Sequence, residues 1–242
     1  MKQAWACLFG GVLLALILLS KLVWQESWML ARYDFLFLSA LLTQILFLVF
    51  HLETAKEAKV IFAFHIVGTL MELFKTHVGS WEYPEANLIR LAGVPLFSGF
   101  MYSAVGSYIA RATRIFRVQY TPFPKAWMTV TLCFLIYTNF FTHHFISDVR
   151  VLLFLATIVL FWKTKAFYTI NKTVRQMPIL LSFLLISFFI WIAENVATYA
   201  RIWIYPSQVI WQPVSLSKLG SWYLLMIISF VLVKMVENWK RA

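Results

Sequence analysis

The chain has 242 residues, of which 62% are apolar and only 13% charged, whereas about a quarter of a soluble domain is charged; an ordinary soluble protein is excluded and a membrane protein indicated. The net charge of +11 reads as topological, because Lys and Arg are retained on the cytoplasmic face where anionic lipids attract them, and no nucleic-acid partner is expected. Eleven Trp, 23 Phe and 10 Tyr against eight Gly and seven Pro exclude a disordered or collagenous chain.

A bilayer core needs roughly 20 mostly apolar residues per helix. Eight runs come near that length: Trp5 to Trp24, Phe35 to His51, Val60 to His77, Val94 to Ala110, Lys125 to His143, Phe145 to Trp162, Pro178 to Tyr199 and Leu219 to Val236. The first follows Met1-Lys2 with no small-residue cleavage site after it, so a retained helix is expected and not a signal peptide. The sixth is the shortest. With eight spans, 14 of the 21 cations fall on the amino-terminal side, including the blocks Arg111 to Lys125 and Lys163 to Arg175, and also Lys240 and Arg241. The positive-inside bias then places both termini in the cytoplasm. The predicted fold class is an all-α, polytopic transmembrane bundle of about eight spans in the cell membrane, a single integral domain over residues 1–242. Its loops are too short for a soluble domain.

An internal repeat is the informative feature. The third run ends with Glu72, Thr76, Trp81, Tyr83 and Pro84, and the seventh with Glu194, Thr198, Trp203, Tyr205 and Pro206, every pair 122 residues apart. An offset that spans four helices returns the chain to its starting side. It therefore predicts two parallel four-helix halves, about 1–122 and 123–242, related by a pseudo-two-fold axis along the membrane normal.

His65, Thr69, Glu72 and Thr76 follow at steps of four, three and four residues and form one stripe on one helix face. Their repeat mates are Ser187, Trp191, Glu194 and Thr198. An unpaired carboxylate in hydrocarbon costs at least about 2.5 kcal/mol on insertion scales, so both glutamates should face the bundle interior. One reading is structural, with Thr and Ser bonded to their own helices and the glutamates bridging helices. The other is functional, with Glu72 and Glu194 as the catalytic pair. Two carboxyls in one dry cavity share a proton more readily than two negative charges, as an acid and base pair or a proton-coupled site requires. In that reading His65, Thr69, Thr76, Trp191 and Thr198 line the binding site. Trp81, Tyr83, Trp203 and Tyr205 are interface anchors or roof it.

Cys7 and Cys133 lie within apolar runs and form neither a disulfide framework nor a CxxC metal site. His143, His144, Asp148 and Asn139 make the one His-Asp cluster, but adjacent histidines point to different helix faces. A metal there would need a partner such as His77 or Glu82, and no metal or cofactor is assigned. His51, Glu53 and Glu57 with Lys56 and Lys59 read as a solvated turn. Gly79-Ser80 and Val94 to Gly99 open the fourth helix with breakers and small residues suited to close packing.

The stretch Glu72 to Pro84, followed by Gly93 to Tyr102, resembles the YoaT-like proteins, an uncharacterised bacterial integral-membrane family, over most of the chain. The resemblance implies a multi-span cytoplasmic-membrane protein and supplies no established activity. The order of Glu, Gly, aromatic-x-Tyr and Gly-Val-Pro-Leu is also similar to membrane carotenoid-biosynthesis proteins, including the hydratase group, across about 30 residues. That likeness implies Glu72 as the intramembrane carboxyl, able to protonate an alkene as a carboxylic acid in a dry site can.

The expected function is an intramembrane carboxylate-pair site that binds or acts on an apolar lipid or isoprenoid, with membrane lipids and an apolar small molecule as partners. A proton-coupled small-solute permease and a structural or accessory membrane protein are the alternatives.

Overall fold

The computed structural model describes residues 2–25, 27–206, 208–209 and 212–238, with side chains through 236; Lys240 and Arg241 lie outside the described residues. Helices dominate: α1 (Lys2–Ala6), α2 (Leu8–Val23), α3 (Arg32–Val49), α4 (Ala55–His77), α5 (Phe97–Ile115), α6 (Ala126–Thr142), α7 (Arg150–Phe161), α8 (Ile179–Tyr199) and α9 (Leu216–Asn238). Without water to satisfy the backbone, a helix is the form an apolar run takes, since every N–H and C=O pairs within the segment.

Among the described residues three helices are long and apolar enough to cross a membrane: α3, α8 and the Leu216–Val236 part of α9. They turn side chains such as Leu38, Leu42, Ile45, Leu184 and Phe189 outward, an apolar surface that water would not tolerate and lipid would. The helices α2, α6 and α7 are apolar but shorter. In α4 and α5 several polar residues lie on the inward face, among them Thr69, Glu72, Ser98, Ser103 and Arg111.

The expectation of an all-α chain is corrected by two small sheets. One is the hairpin of β1 (Arg90–Leu91) and β2 (Val94–Pro95); the other is antiparallel, in the order β3 (Gln119–Thr121), β4 (Lys165–Ile170) and β5 (Thr173–Pro178). The block from Lys163 to Arg175 reads as a basic loop because charge dominates it. Most of its uncharged residues are β-branched or aromatic, and they flank Asn171 and Lys172, at φ of 47° and 68°. Two consecutive positive-φ residues between paired strands are the type I′ hairpin geometry.

The sixth run, expected from Phe145 to Trp162, is helical only over the 12 residues of α7, about 18 Å of rise. Asn139 and Asp148 account for the late start. Asn139 Oδ1 accepts from the Val149 N–H at 3.1 Å and its amide donates to Asp148 Oδ1 at 3.0 Å, which also accepts from the Arg150 N–H at 2.9 Å. Backbone groups that a longer helix would pair are thus paired by side chains.

The solvated turn at Glu53 and Glu57 is also corrected, because both are buried, at 4% and 3% exposed. Glu57 completes a capping box with Thr54 at the start of α4. Glu53 Oε1 meets Arg111 3.4 Å away, with both side chains fully buried, and Gln44 donates to its other oxygen. Burial pushes the Glu53 carboxyl up against the lowering pull of Gln44 and Arg111.

Packing, as distinct from the sequence repeat, divides the chain into two units: Met1–Arg111 with Ile192–Val214, and Ala112–Trp191 with Ser215–Ala242. In the first unit one cluster joins Phe9, Leu13, Ala40, Phe47, Ile61 and Phe100, and another joins Tyr33, Leu36, Phe97, Ala197, Ile202 and Trp203. The second unit is built on rings. Phe183 packs against Phe161 and Phe230, with centroids 5.8 and 5.3 Å away, and Phe123 closes the set.

Candidate functional site

Glu72 on α4 and Glu194 on α8 both belong to the first unit and both face its interior, at 3% and 4% exposed. Oε2 of Glu72 accepts from the Trp81 indole N–H and the Tyr83 hydroxyl, each at 2.7 Å, while Oε1 accepts from the Tyr102 hydroxyl at 2.8 Å. An indole can only donate, so at least Oε2 is fixed as an acceptor. Oε1 of Glu194 accepts from the Tyr205 hydroxyl. Tyr83 and Tyr205 each stand eleven residues beyond their glutamate, so both copies make the same bond.

The two Trp-x-Tyr segments meet. The Glu82 N–H donates to the Ile204 carbonyl and the Ile204 N–H to the Glu82 carbonyl, both at 3.0 Å, as an isolated antiparallel bridge. These residues are themselves 122 apart. Each copy is therefore paired at its middle residue with its own counterpart, in the reciprocal exchange that gives an antiparallel pair a local two-fold relation. The Trp81 ring stands edge-on to Tyr205, 6.0 Å between centroids, and the two carboxyls lie within electrostatic reach of one another. The Tyr83 hydroxyl is pushed well above its ordinary value, by burial first and then by Glu72; burial and Glu194 raise Tyr205 likewise. Both hydroxyls therefore keep their protons at neutral pH.

The start of α3 holds both segments. Arg32 donates to the Ala200 carbonyl and Tyr33 to the Ile202 carbonyl, each at 2.8 Å, and Arg32 pairs with Glu85 at 3.0 Å. Asp34 accepts from the Asn87 amide and from the Leu88 and Ile89 N–H groups at 2.8 to 2.9 Å. The sequence signal was Arg-Tyr-Asp at the mouth of the second apolar run. Tyr102 was missed as well, because its repeat position holds Leu224. Its trace is Gly68, one turn before Glu72, where a Cβ would sit 2.7 Å from the Tyr102 ring.

The rest of the expected site divides. Thr69 and Thr198 donate to their own helices, at the carbonyls of His65 and Glu194. His65 Nδ1 and Thr76 Oγ1 are buried with no hydrogen-bond partner among the described residues, and the His65 ring lies 4.5 Å from Phe100. A Cβ at Gly99 would stand 2.5 Å from both His65 Nδ1 and Thr69 Oγ1, which explains the small residue opening α5. Trp203 is part of the apolar core, while Trp191 belongs to the second unit and stacks on Phe188 at 6.1 Å.

At the other cluster His143 Nδ1 lies 2.9 Å from the Asn139 carbonyl and Asp148 pairs with Arg150 at 3.0 Å. Among the described residues no group of three His, Cys, Asp or Glu side chains is placed to hold a metal.

Over 240 residues the chain is 44% identical to the Uncharacterized protein YoaT of Bacillus subtilis (strain 168), across 99% of this chain and 90% of that one. Its fold is similar to that of a cross-linked MvINS trimer known from a 1.9 Å crystal structure, with a TM-score of 0.52 and 12% identity over 76% of this chain and 95% of the other, a likeness of fold alone. Residues 1–230 match the family described as Protein of unknown function (DUF817), and with that match and the 44% identity the chain belongs to this family.

Proposed function

We propose that the protein is a multi-pass protein of the cell membrane in which Glu72 and Glu194 form one site that binds or acts on an apolar lipid or isoprenoid. The observation that carries this reading is the pairing of Glu82 with Ile204, which brings the two Glu-Trp-Tyr copies together and leaves each buried carboxyl under the tyrosine of its own copy. Eight crossings, two parallel four-helix halves and cytoplasmic termini complete the proposal. The 14 to seven division of cations supports the orientation, and the reciprocal 82–204 bridge supports a two-fold axis through the roof. The short α7 fits a crossing whose remaining depth is covered by residues 145–149, since Asn139 and Asp148 already satisfy part of that backbone.

Chemically, a carboxyl under tyrosine hydroxyls in a dry site can hold the polar head of an otherwise apolar molecule, or pass a proton to it. The test is mass spectrometry of organic extracts from protein purified in detergent. A co-purifying isoprenoid or lipid that is lost in Glu72→Gln, while the unfolding transition is retained, is expected. Extracts that are identical for wild type and variant would contradict the reading.

A proton-coupled permease is the second reading. Parallel repeats whose carboxyls meet on the symmetry axis favour it, because such halves can rock about a fixed site. Proton-driven solute uptake by proteoliposomes, abolished in Glu194→Gln, would replace the lipid reading with this one.

A further inference from the structure

Most of the cations of the second unit gather at one end. Its sheet joins the helix ends: β4 begins shortly after α7, β5 runs directly into α8, and Lys234 of α9 lies over the Tyr120 ring of β3, 4.8 Å from its centroid. Around the sheet stand Arg117, Lys125, Lys163, Lys165, Lys172 and Arg175, all exposed. Between Ala112 and Glu194 the sequence holds a single carboxylate, Asp148, and from Ser215 onward one more, Glu237. Asp148 precedes α7, at the end of that helix opposite the sheet, and is paired with Arg150. Glu237, three residues beyond Lys234 in α9, has its side chain outside the described residues; among the described side chains around the sheet no acid stands beside these six cations.

Apolar side chains accompany them. Trp162 is 66% and Val174 65% exposed, and the Lys163 ammonium lies 5.3 Å from the centre of the Trp162 ring. Trp at the level where helices leave the hydrocarbon is an interface residue. Arg117 and Lys172 both occupy positive-φ positions, at 50° and 68°, where Gly or Asn is the cheaper residue. At two turns, then, a cation stands where the backbone would favour another residue.

We infer that the β3-β4-β5 sheet is a docking surface for anionic phospholipid headgroups of the leaflet that the helices of this unit enter. Charge complementarity selects the ligand: phosphate oxygens accept from Lys and Arg, and each juxtamembrane cation adds about fivefold to the attraction of an anionic leaflet. This surface is separate from Glu72 and Glu194 and stands whether or not they bind a ligand.

Native mass spectrometry of the full chain in detergent, titrated with dioleoyl-phosphatidylglycerol and dioleoyl-phosphatidylcholine, tests it. Wild type should retain phosphatidylglycerol at least about fivefold more readily than phosphatidylcholine. The triple variant Lys165→Gln, Lys172→Gln, Arg175→Gln should lose most of that preference. A control with Lys21→Gln, Arg90→Gln and Arg201→Gln, cations of the first unit, should keep it. Because all six side chains are exposed, neither variant should alter the unfolding transition. Equal retention of the two lipids by wild type, or an equal loss in the control, would overturn the inference. So would a 20-residue RNA that binds wild type while phosphatidylglycerol shows no preference, which would make the surface a nucleic-acid face.

Discussion

Inside the first unit Glu53, Glu57, Glu72, Lys75, Arg111 and Glu194 are each no more than 4% exposed, whereas among the described residues of the second the buried polar ones are Thr129, Asn139, Thr157, Thr164 and Ser187, none of them charged. The hydroxyls of the second unit are satisfied at home: Thr129, Thr157 and Ser187 donate to carbonyls three or four residues earlier, at 2.7 to 2.8 Å. Such groups lose nothing when a helix is inserted alone. Glu53 finds its partner on α5, and Glu72 and Glu194 find theirs on the Trp-x-Tyr segments and, for Glu72, on α5 as well. They are tolerable only once that unit has assembled. Buried charge retained at this cost points to chemistry, and aromatic packing points to scaffold.

The largest effects should expose that difference. Arg111→Ala strands Glu53 without its cation, and a broken buried pair costs about 3–5 kcal/mol; thermal unfolding in detergent should show it. Adding Glu53→Gln with Met at position 111 should recover most of the loss. Phe183→Ala should cost a similar ~3–5 kcal/mol in the second unit from a cavity, and no change of charge elsewhere should repair it. If Arg111→Ala costs less than the second-unit hydroxyl change Thr157→Val, the contrast between the units is wrong.

Glu72→Leu comes next. It leaves the Trp81, Tyr83 and Tyr102 donors unpaired, at about 1–3 kcal/mol for each buried group that finds no substitute. Glu72→Gln keeps a carbonyl for the indole and should cost clearly less in the same unfolding assay. Smaller again are Tyr83→Phe and Tyr205→Phe, each removing one hydroxyl donor for about 1–2 kcal/mol. Near-equal losses would sharpen the equivalence of the two copies, and a loss in one alone would break it.

Much of this was legible in the sequence, for a physical reason. The offset of 122 residues was visible because Glu, Trp, Tyr and Pro are rare enough in apolar runs for their spacing to stand out, and both glutamates do face inward. Tyr102 and the Arg32-Tyr33-Asp34 clamp left traces that did not point to the site, because they act from other elements and have no repeat mate. The sheet was hidden by its charge, since Lys163, Lys165, Lys172 and Arg175 at its ends and turn drew the reading toward a basic loop and away from the β-branched and aromatic residues between them. Glu53 read as solvated because nothing local shows that Arg111, 58 residues away, would cover it.

Infrared difference titration of the carboxyl stretch in wild type, Glu72→Gln and Glu194→Gln tests the shared site most directly. Two carboxyls within one buried site titrate as a pair, so removing either should move the pH at which the other's band appears, while the unfolding transition of both variants persists. If the remaining band in each variant titrates where it does in wild type, the two glutamates are independent and the single site under the 82–204 bridge does not exist.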